Sequence, residues 1–328
     1  MSAMNRRLLL AAALAGTALP ACSRQPVAVP GELVLWGPPA GPTITLAYAV
    51  ASGLTDGLAE AVRVRAWRTP DELRAGLISG TMSVAVMPLN TAASLYARGQ
   101  DVRLLSVMTD GLLHVVTADP TLTEVPQLAG RRVAIPYRRD APDIVLDRIL
   151  AFHGLEPGQD VTLRHVGSPV EAVQLMLTGA VDAAFVPEPA ASAAVISGRV
   201  TGRPVRRAID VQAQWRAVTG AADATLPQAG LAVTGAFYAQ NRARLDQLNR
   251  TLIGAAEAVN ADPAAAAAAA APVLGMPAPI LEAAIPHSNL RTTPARAARA
   301  EVERYFAVIA QADPEVLGGG MPDGDFYL

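Results

Sequence analysis

The sequence contains no lysine: all 27 of its cationic side chains are arginine. That absence excludes a phosphate-loop nucleotidase, a pyridoxal Schiff base and a lysine nucleophile, because each needs the amine itself. Cysteine is almost absent too. Cys22 is the only one, so no disulfide can form within the chain and stability must come from its core. The four histidines, His114, His153, His165 and His287, never fall one helical turn apart, which removes a common metal-ligand spacing. No Gly-x-Ser-x-Gly elbow occurs. Asp140 and Asp143 lie at helical spacing on what reads as a solvated helix start, where acids suit the dipole. Aromatic residues make up 4%, no basic block exists, and the formal net charge is −2, so nucleic acid is not the expected partner. What remains is 328 residues, 51% of them apolar, enough for one or two domains with a sizeable core.

The chain opens with Arg6-Arg7, the apolar stretch Leu8 to Leu19, and Ala21-Cys22. A charged start, a short apolar core and a small residue before the cut read as an export signal over 1–21. Leu19-Pro20-Ala21-Cys22 resembles the lipobox of bacterial lipoproteins, which implies lipidation at Cys22 and a tether over 22–30, with proline departing from the usual pattern. A plain signal cleaved near Ala21 is the alternative, and Arg6-Arg7 can also be read as a twin-arginine signal. The Ala264 to Ala271 run, bracketed by Pro263 and Pro272, is too short to cross a bilayer and predicts a surface or packing helix.

The chain repeats itself at an offset of 99. Gly80, Pro88 and Gly99 fall on Gly179, Pro187 and Gly198, and Pro70 and Glu72 on Pro169 and Glu171. Thr69-Pro70-Asp71-Glu72 and Ser168-Pro169-Val170-Glu171 each spell a helix start: a capping hydroxyl, a proline, and a carboxylate three residues on. Each helix then ends at a glycine, Gly80 or Gly179, and is followed by a buried strand, Val84 to Met87 or Ala183 to Val186. Two α/β halves with parallel strands follow. Leu112 to Thr117 leads out of the first half and Gly230 to Thr234 leads back. The expected domains are therefore a discontinuous lobe I, 31–111 plus 230–328, and an inserted lobe II, 112–229, joined by a two-strand hinge. Helical patterns close the chain over Phe237 to Ala261, Pro263 to Leu274, Pro277 to Ile285 and Pro294 to Ala312.

These pieces, with the Gly37 to Thr43 loop, Leu128 to Ala134 and Ala183 to Pro189, resemble the periplasmic substrate-binding proteins of bacterial ABC importers. The nearest group is the nitrate, alkanesulfonate and taurine type, related in fold to thiamin-pyrimidine binding proteins. The resemblance implies an α/β, type II-like periplasmic-binding-protein fold with two Rossmann-like lobes. It also implies a monomer without cofactor, exported to the periplasm and lipid-anchored, that delivers a small solute to an inner-membrane permease and its ATPase. Two alternatives stay open: an enzyme of cofactor-precursor metabolism on the same fold, and a sensing lipoprotein that docks on a receptor.

Ligands of α/β sheets sit beyond the carboxyl ends of the strands, which selects the candidate contacts. Gly41, Pro42 and Thr43 open the first helix, where backbone N–H groups favour an anion, although ordinary capping is the plainer reading. Trp67 and Tyr137 could sandwich a flat solute, with Arg68 and Arg138 pairing to an anionic group; a core tryptophan beside a surface arginine is the alternative. Asn90 and Thr109 supply hydrogen bonds, with Asp110 beside them. Glu188 meets an amine or ring N–H, and Gly167 permits close backbone approach. Thr69 and Ser168 are excluded, because capping occupies their hydroxyls. His287-Ser288-Asn289 reads as a helix-to-helix loop, with a place over the cleft entrance as the second reading. The solute expected is a small organic anion or zwitterion, with inorganic nitrate or bicarbonate as the alternative, which would make poor use of two aromatic rings.

Overall fold

In the computed structural model, which describes residues 31–328, the first unit runs β1 (Glu32–Gly37), α1 (Gly41–Ala51), β2 (Ala61–Ala66), α2 (Pro70–Ser79), β3 (Val84–Pro88), α3 (Leu89–Ala97) and β4 (Val102–Thr109). The expected signal, Cys22 and tether lie outside the described residues. The second unit runs β5 (Leu113–Thr117), β6 (Arg132–Pro136), α4 (Ala141–Phe152), β7 (Thr162–Val166), α5 (Pro169–Leu177), β8 (Ala183–Pro187), α6 (Ala190–Val200), β9 (Arg206–Ile209) and α7 (Val211–Thr219). The chain then returns through β10 (Ala229–Thr234), α8 (Gly235–Ala261), α9 (Pro263–Leu274), α10 (Ala278–Ala284), β11 (Leu290–Pro294) and α11 (Ala295–Ala312).

The strands form two sheets, ordered β2-β1-β3-β10-β4-β11 and β7-β6-β8-β5-β9. Each holds three parallel strands: β1 between β2 and β3, and β6 between β7 and β8. Beside each trio lies one antiparallel strand, β10 on β3 and β5 on β8. These two are the strands that follow the crossings, so each sheet is completed by chain arriving from the other lobe. Strands β3 and β8 are continuous apolar runs, buried up to their final prolines, as central strands covered on both faces must be.

The repeated helix starts form as their residues dictate. Thr69 Oγ1 accepts the Glu72 amide at 3.1 Å, and Ser168 Oγ accepts the Glu171 amide at 3.2 Å. The two glutamates reach back one residue further than a capping box requires, to the amides of Arg68 at 2.7 Å and Gly167 at 3.0 Å. Helix α2 closes on Gly80 at φ 76°, in the left-handed region where glycine carries no Cβ penalty, whereas α5 stops at Leu177 with Thr178 as its cap, before the expected Gly179. The alanine run forms α9, whose Ala266, Ala267 and Ala270 pack with Ile44 and Ala47 of α1. Among the described residues, no helix is long and apolar enough to cross a membrane.

Two expectations fail here. His287-Ser288-Asn289 is not a helix-to-helix loop: it leads into β11, an edge strand on β4, because the Asn289 carbonyl accepts the Asp110 amide and the Ser288 carbonyl accepts the Thr109 hydroxyl. Asp143 is not solvated either. It is 6% exposed, accepts the Arg139 amide at 2.7 Å and contacts His165 Nε2 at 2.7 Å.

Where the chain crosses between sheets, the outgoing and returning segments are bonded to each other. The Leu226 amide donates to the Asp110 carbonyl at 3.0 Å, and the Leu112 amide to Gln228 Oε1 at 2.9 Å. Helix α11 also packs on α4, and its Tyr305 meets Trp215 of α7 with ring centroids 5.8 Å apart.

Candidate functional site

Past the carboxyl ends of β1, β2 and β3, and facing those of β6, β7 and β8, lies a cavity of about 200 Å3. Nine of its 23 lining residues are proline. Local structure places them: Pro42, Pro70, Pro142 and Pro169 occupy first-turn positions of α1, α2, α4 and α5, where a missing N–H costs nothing. Pro88 and Pro187 end β3 and β8. Because Pro70/Pro169 and Pro88/Pro187 are partners at the repeat offset, the duplication sets proline on both walls. The result is a rigid surface poor in hydrogen-bond donors.

Of the residues singled out from the sequence, Pro42, Trp67, Arg68, Tyr137 and Glu188 line this cavity. Trp67 is buried, its Nε1 donating to the Val86 carbonyl at 3.0 Å, so only its ring is offered to a ligand. Tyr137 is held at φ 62°, a conformation rare for a side-chain-bearing residue. Burial first, and then the nearby Asp140 carboxylate, push its phenol pKa up. Among the described residues, Arg68 is the only cation on these walls.

Glu188 touches the cavity, but its oxygens are already bonded. Oε1 pairs with the Arg207 guanidinium, and Oε2 accepts the Ser192 amide at 3.0 Å. Burial raises its pKa and the Arg207 charge opposes that rise. The carboxylate thus ties the first turn of α6 to β9, in place of the expected contact with an amine.

Gly41 and Thr43 are buried behind the wall. Thr43 Oγ1 donates to the Pro38 carbonyl at 2.5 Å, and a Cβ on Gly41 would come 3.0 Å from Ser288 Cβ. Both shape the turn from β1 into the start of α1. Gly167 is off the wall with its amide bonded to Glu171.

Thr109 and Asp110 do not reach the cavity, although Thr109 ends a strand and Asp110 follows it. Strand β4 lies beyond β10, so its end opens onto the interlobe crossing. Thr109 Oγ1 donates to the Ser288 carbonyl at 2.7 Å and accepts the Gly111 amide at 3.1 Å. Asp110 pairs with Arg291 at 2.5 Å, yet burial outweighs that attraction and lifts its pKa to about 6. His287 is also off the wall; its carbonyl meets His114 Nε2 at 2.9 Å, and burial lowers the His114 pKa to about 4.

Asn90 and Arg138 line a second, polar cavity of about 520 Å3 that shares Pro70, Tyr137 and Asp140 with the first. Asn90 Nδ2 donates across the lobes to Asp140 Oδ1 at 2.9 Å. Sequence reasoning named Pro42 but missed the other wall prolines, Gln228 and Met276. Four of the nine prolines carried a readable signal, since Pro70/Pro169 and Pro88/Pro187 recur at the repeat offset; Gln228 and Met276 arrive from remote segments and carried none.

Among curated proteins, none matches the chain. Solved structures do. An ABC transporter protein from Parabacteroides distasonis is 21% identical, with a TM-score of 0.72 over 92% of this chain and 99% of that one. The periplasmic aliphatic sulphonate binding protein SsuA from Escherichia coli is 18% identical, with a TM-score of 0.68 over 88% and 96%. The alkanesulfonate-binding protein SsuA from Xanthomonas axonopodis pv. citri, bound to MOPS, is 19% identical, with a TM-score of 0.64 over 90% and 96%. These similarities establish the two-lobed periplasmic-binding-protein fold. The NMT1-like family model matches residues 69–274, which span α2 through α9 and with them most of both cavity walls, and the chain belongs to that family.

Proposed function

We propose that the protein is the extracytoplasmic solute-binding component of an ABC importer, anchored through Cys22, and that its lobes close on a small organic solute and present it to the permease. The observation that carries this reading is the cavity itself: both lobes build it, its walls are mostly apolar, and it holds one cation, Arg68. A solute touching both lobes binds the closed form more tightly and so shifts the lobes toward it. The walls favour an apolar body filling the space between the prolines, Trp67 and Tyr137. Arg68 favours an anionic end, and the Gln228 amide nitrogen is a further donor, since its Oε1 is committed to Leu112. The sulfonate-binding neighbours support the same class.

The test is a thermal-shift and calorimetric series of alkyl and aryl sulfonates and carboxylates of increasing apolar size. Stabilisation should rise with apolar bulk until the cavity fills. Arg68→Gln should weaken the best binder about tenfold with its melting temperature unchanged. Equal stabilisation by inorganic nitrate or sulfate would contradict the reading.

A further inference from the structure

The second cavity differs in character from the first. Thr91 and Ser94, one turn apart on α3, present hydroxyls, and Arg74, Arg98, Arg138 and Arg139 share the walls with Asp71, Asp140 and Glu315. Three of the arginines have carboxylate partners: Arg74 on Asp71 at 3.1 Å, Arg98 on Glu315 at 4.0 Å and Arg139 on Asp313 at 2.7 Å. Arg138 has none among the described residues, so one guanidinium on this wall is uncommitted. Asn90, 4% exposed, supplies a second unmet group. An ionised carboxylate only accepts hydrogen bonds, so the Asn90 atom facing Asp140 must be the amide nitrogen. Its carbonyl oxygen is then the buried atom with no partner. Such an atom costs free energy while it stays unpaired, and a donor brought to it recovers that cost.

We propose that this cavity is a ligand site in its own right, for a small anion that also carries a hydroxyl or amino donor: the hydroxy-acid and amino-acid class. The anionic group pairs with Arg138, and the donor serves Asn90, with Thr91 and Ser94 at hand for further oxygens. This assignment is independent of what the proline-lined cavity binds. It uses residues which that cavity lacks, apart from the shared Pro70, Tyr137 and Asp140.

Calorimetry of the purified protein with L-malate, L-glutamate and succinate tests it, because malate and succinate differ by a single hydroxyl. Malate or glutamate should bind at least about tenfold more tightly than succinate. Arg138→Gln, on an exposed loop, should weaken that binding about tenfold, whereas Arg68→Gln in the other cavity should leave it as tight. Three results overturn the proposal: no heat with malate or glutamate up to about 10 mM, succinate bound as tightly as malate, or binding that Arg68→Gln weakens as much as Arg138→Gln does.

Discussion

At Glu188, burial and pairing together decide what a carboxylate past a strand end can do. Its side chain is fully buried and Arg207 beside it is 19% exposed, so removing one charge strands the other. Glu188→Gln should therefore destabilise the protein by about 3–5 kcal/mol in urea unfolding, and Glu188→Gln with Arg207→Met should recover part of the loss. An unchanged midpoint in the single variant would contradict this pairing. His114 makes the matching case for pH. Its pKa is about 4 in the folded protein against 6.5 unfolded, so the unfolded chain takes up the proton first. Stability is then lost as pH falls from 6.5 toward about 4. Asp110, raised from 3.8 to about 6, acts in the opposite sense, losing stability as pH rises through that window. Between about pH 4 and 6 the two slopes oppose each other, so His114→Gln should leave the Asp110 slope alone, with urea midpoints rising as pH falls across that range. Gly41 is a packing requirement: Gly41→Ala drives a methyl into Ser288 and Leu290 and should cost about 1–3 kcal/mol.

At the scale of elements, the duplicated helix starts give a paired test. Thr69→Ala and Ser168→Ala each remove one cap and should each cost about 1 kcal/mol. Their costs should add in the double variant, because the caps sit on different sheets' helices without shared partners. Strongly non-additive midpoints would mean the two helix starts are coupled. The same elements show what local pattern reveals. The β3 and β8 runs and α9 were legible because continuous apolar residues, proline and glycine act within their own segment. Strand β11 was not, because it forms by pairing with Thr109, Val107 and Ser106 of β4, a segment remote in the chain. Asp143 looked solvated by helical position and is buried because the 137–139 loop folds over it.

For the molecule as a whole, three polar contacts join the lobes on one rim: Asn90 to Asp140, Arg139 to Asp313, and Arg148 to Gln311 at 3.1 Å. The Arg139 side chain is 74% exposed, so its pair is worth no more than about 1 kcal/mol. If the lobes swing as proposed, Arg139→Ala with Arg148→Ala should favour the open arrangement. The solute-free radius of gyration in small-angle scattering should then increase, with little change in unfolding midpoint. An unchanged radius would count against closure as the working motion.

The amino-acid sequence by itself determined the duplicated α/β units, their caps, the buried central strands and the prolines that end up lining the cleft, because each of these follows from backbone chemistry over a few neighbouring residues. Only the tertiary structure decided which residues past strand ends face a ligand. Strand order put Thr109 and Asp110 behind β10, a remote arginine claimed Glu188, and the meeting of two lobes divided Trp67 and Arg68 from Asn90 and Arg138 into an apolar and a polar cavity. Those outcomes depend on contacts between segments up to a hundred residues or more apart, and no local pattern encodes them.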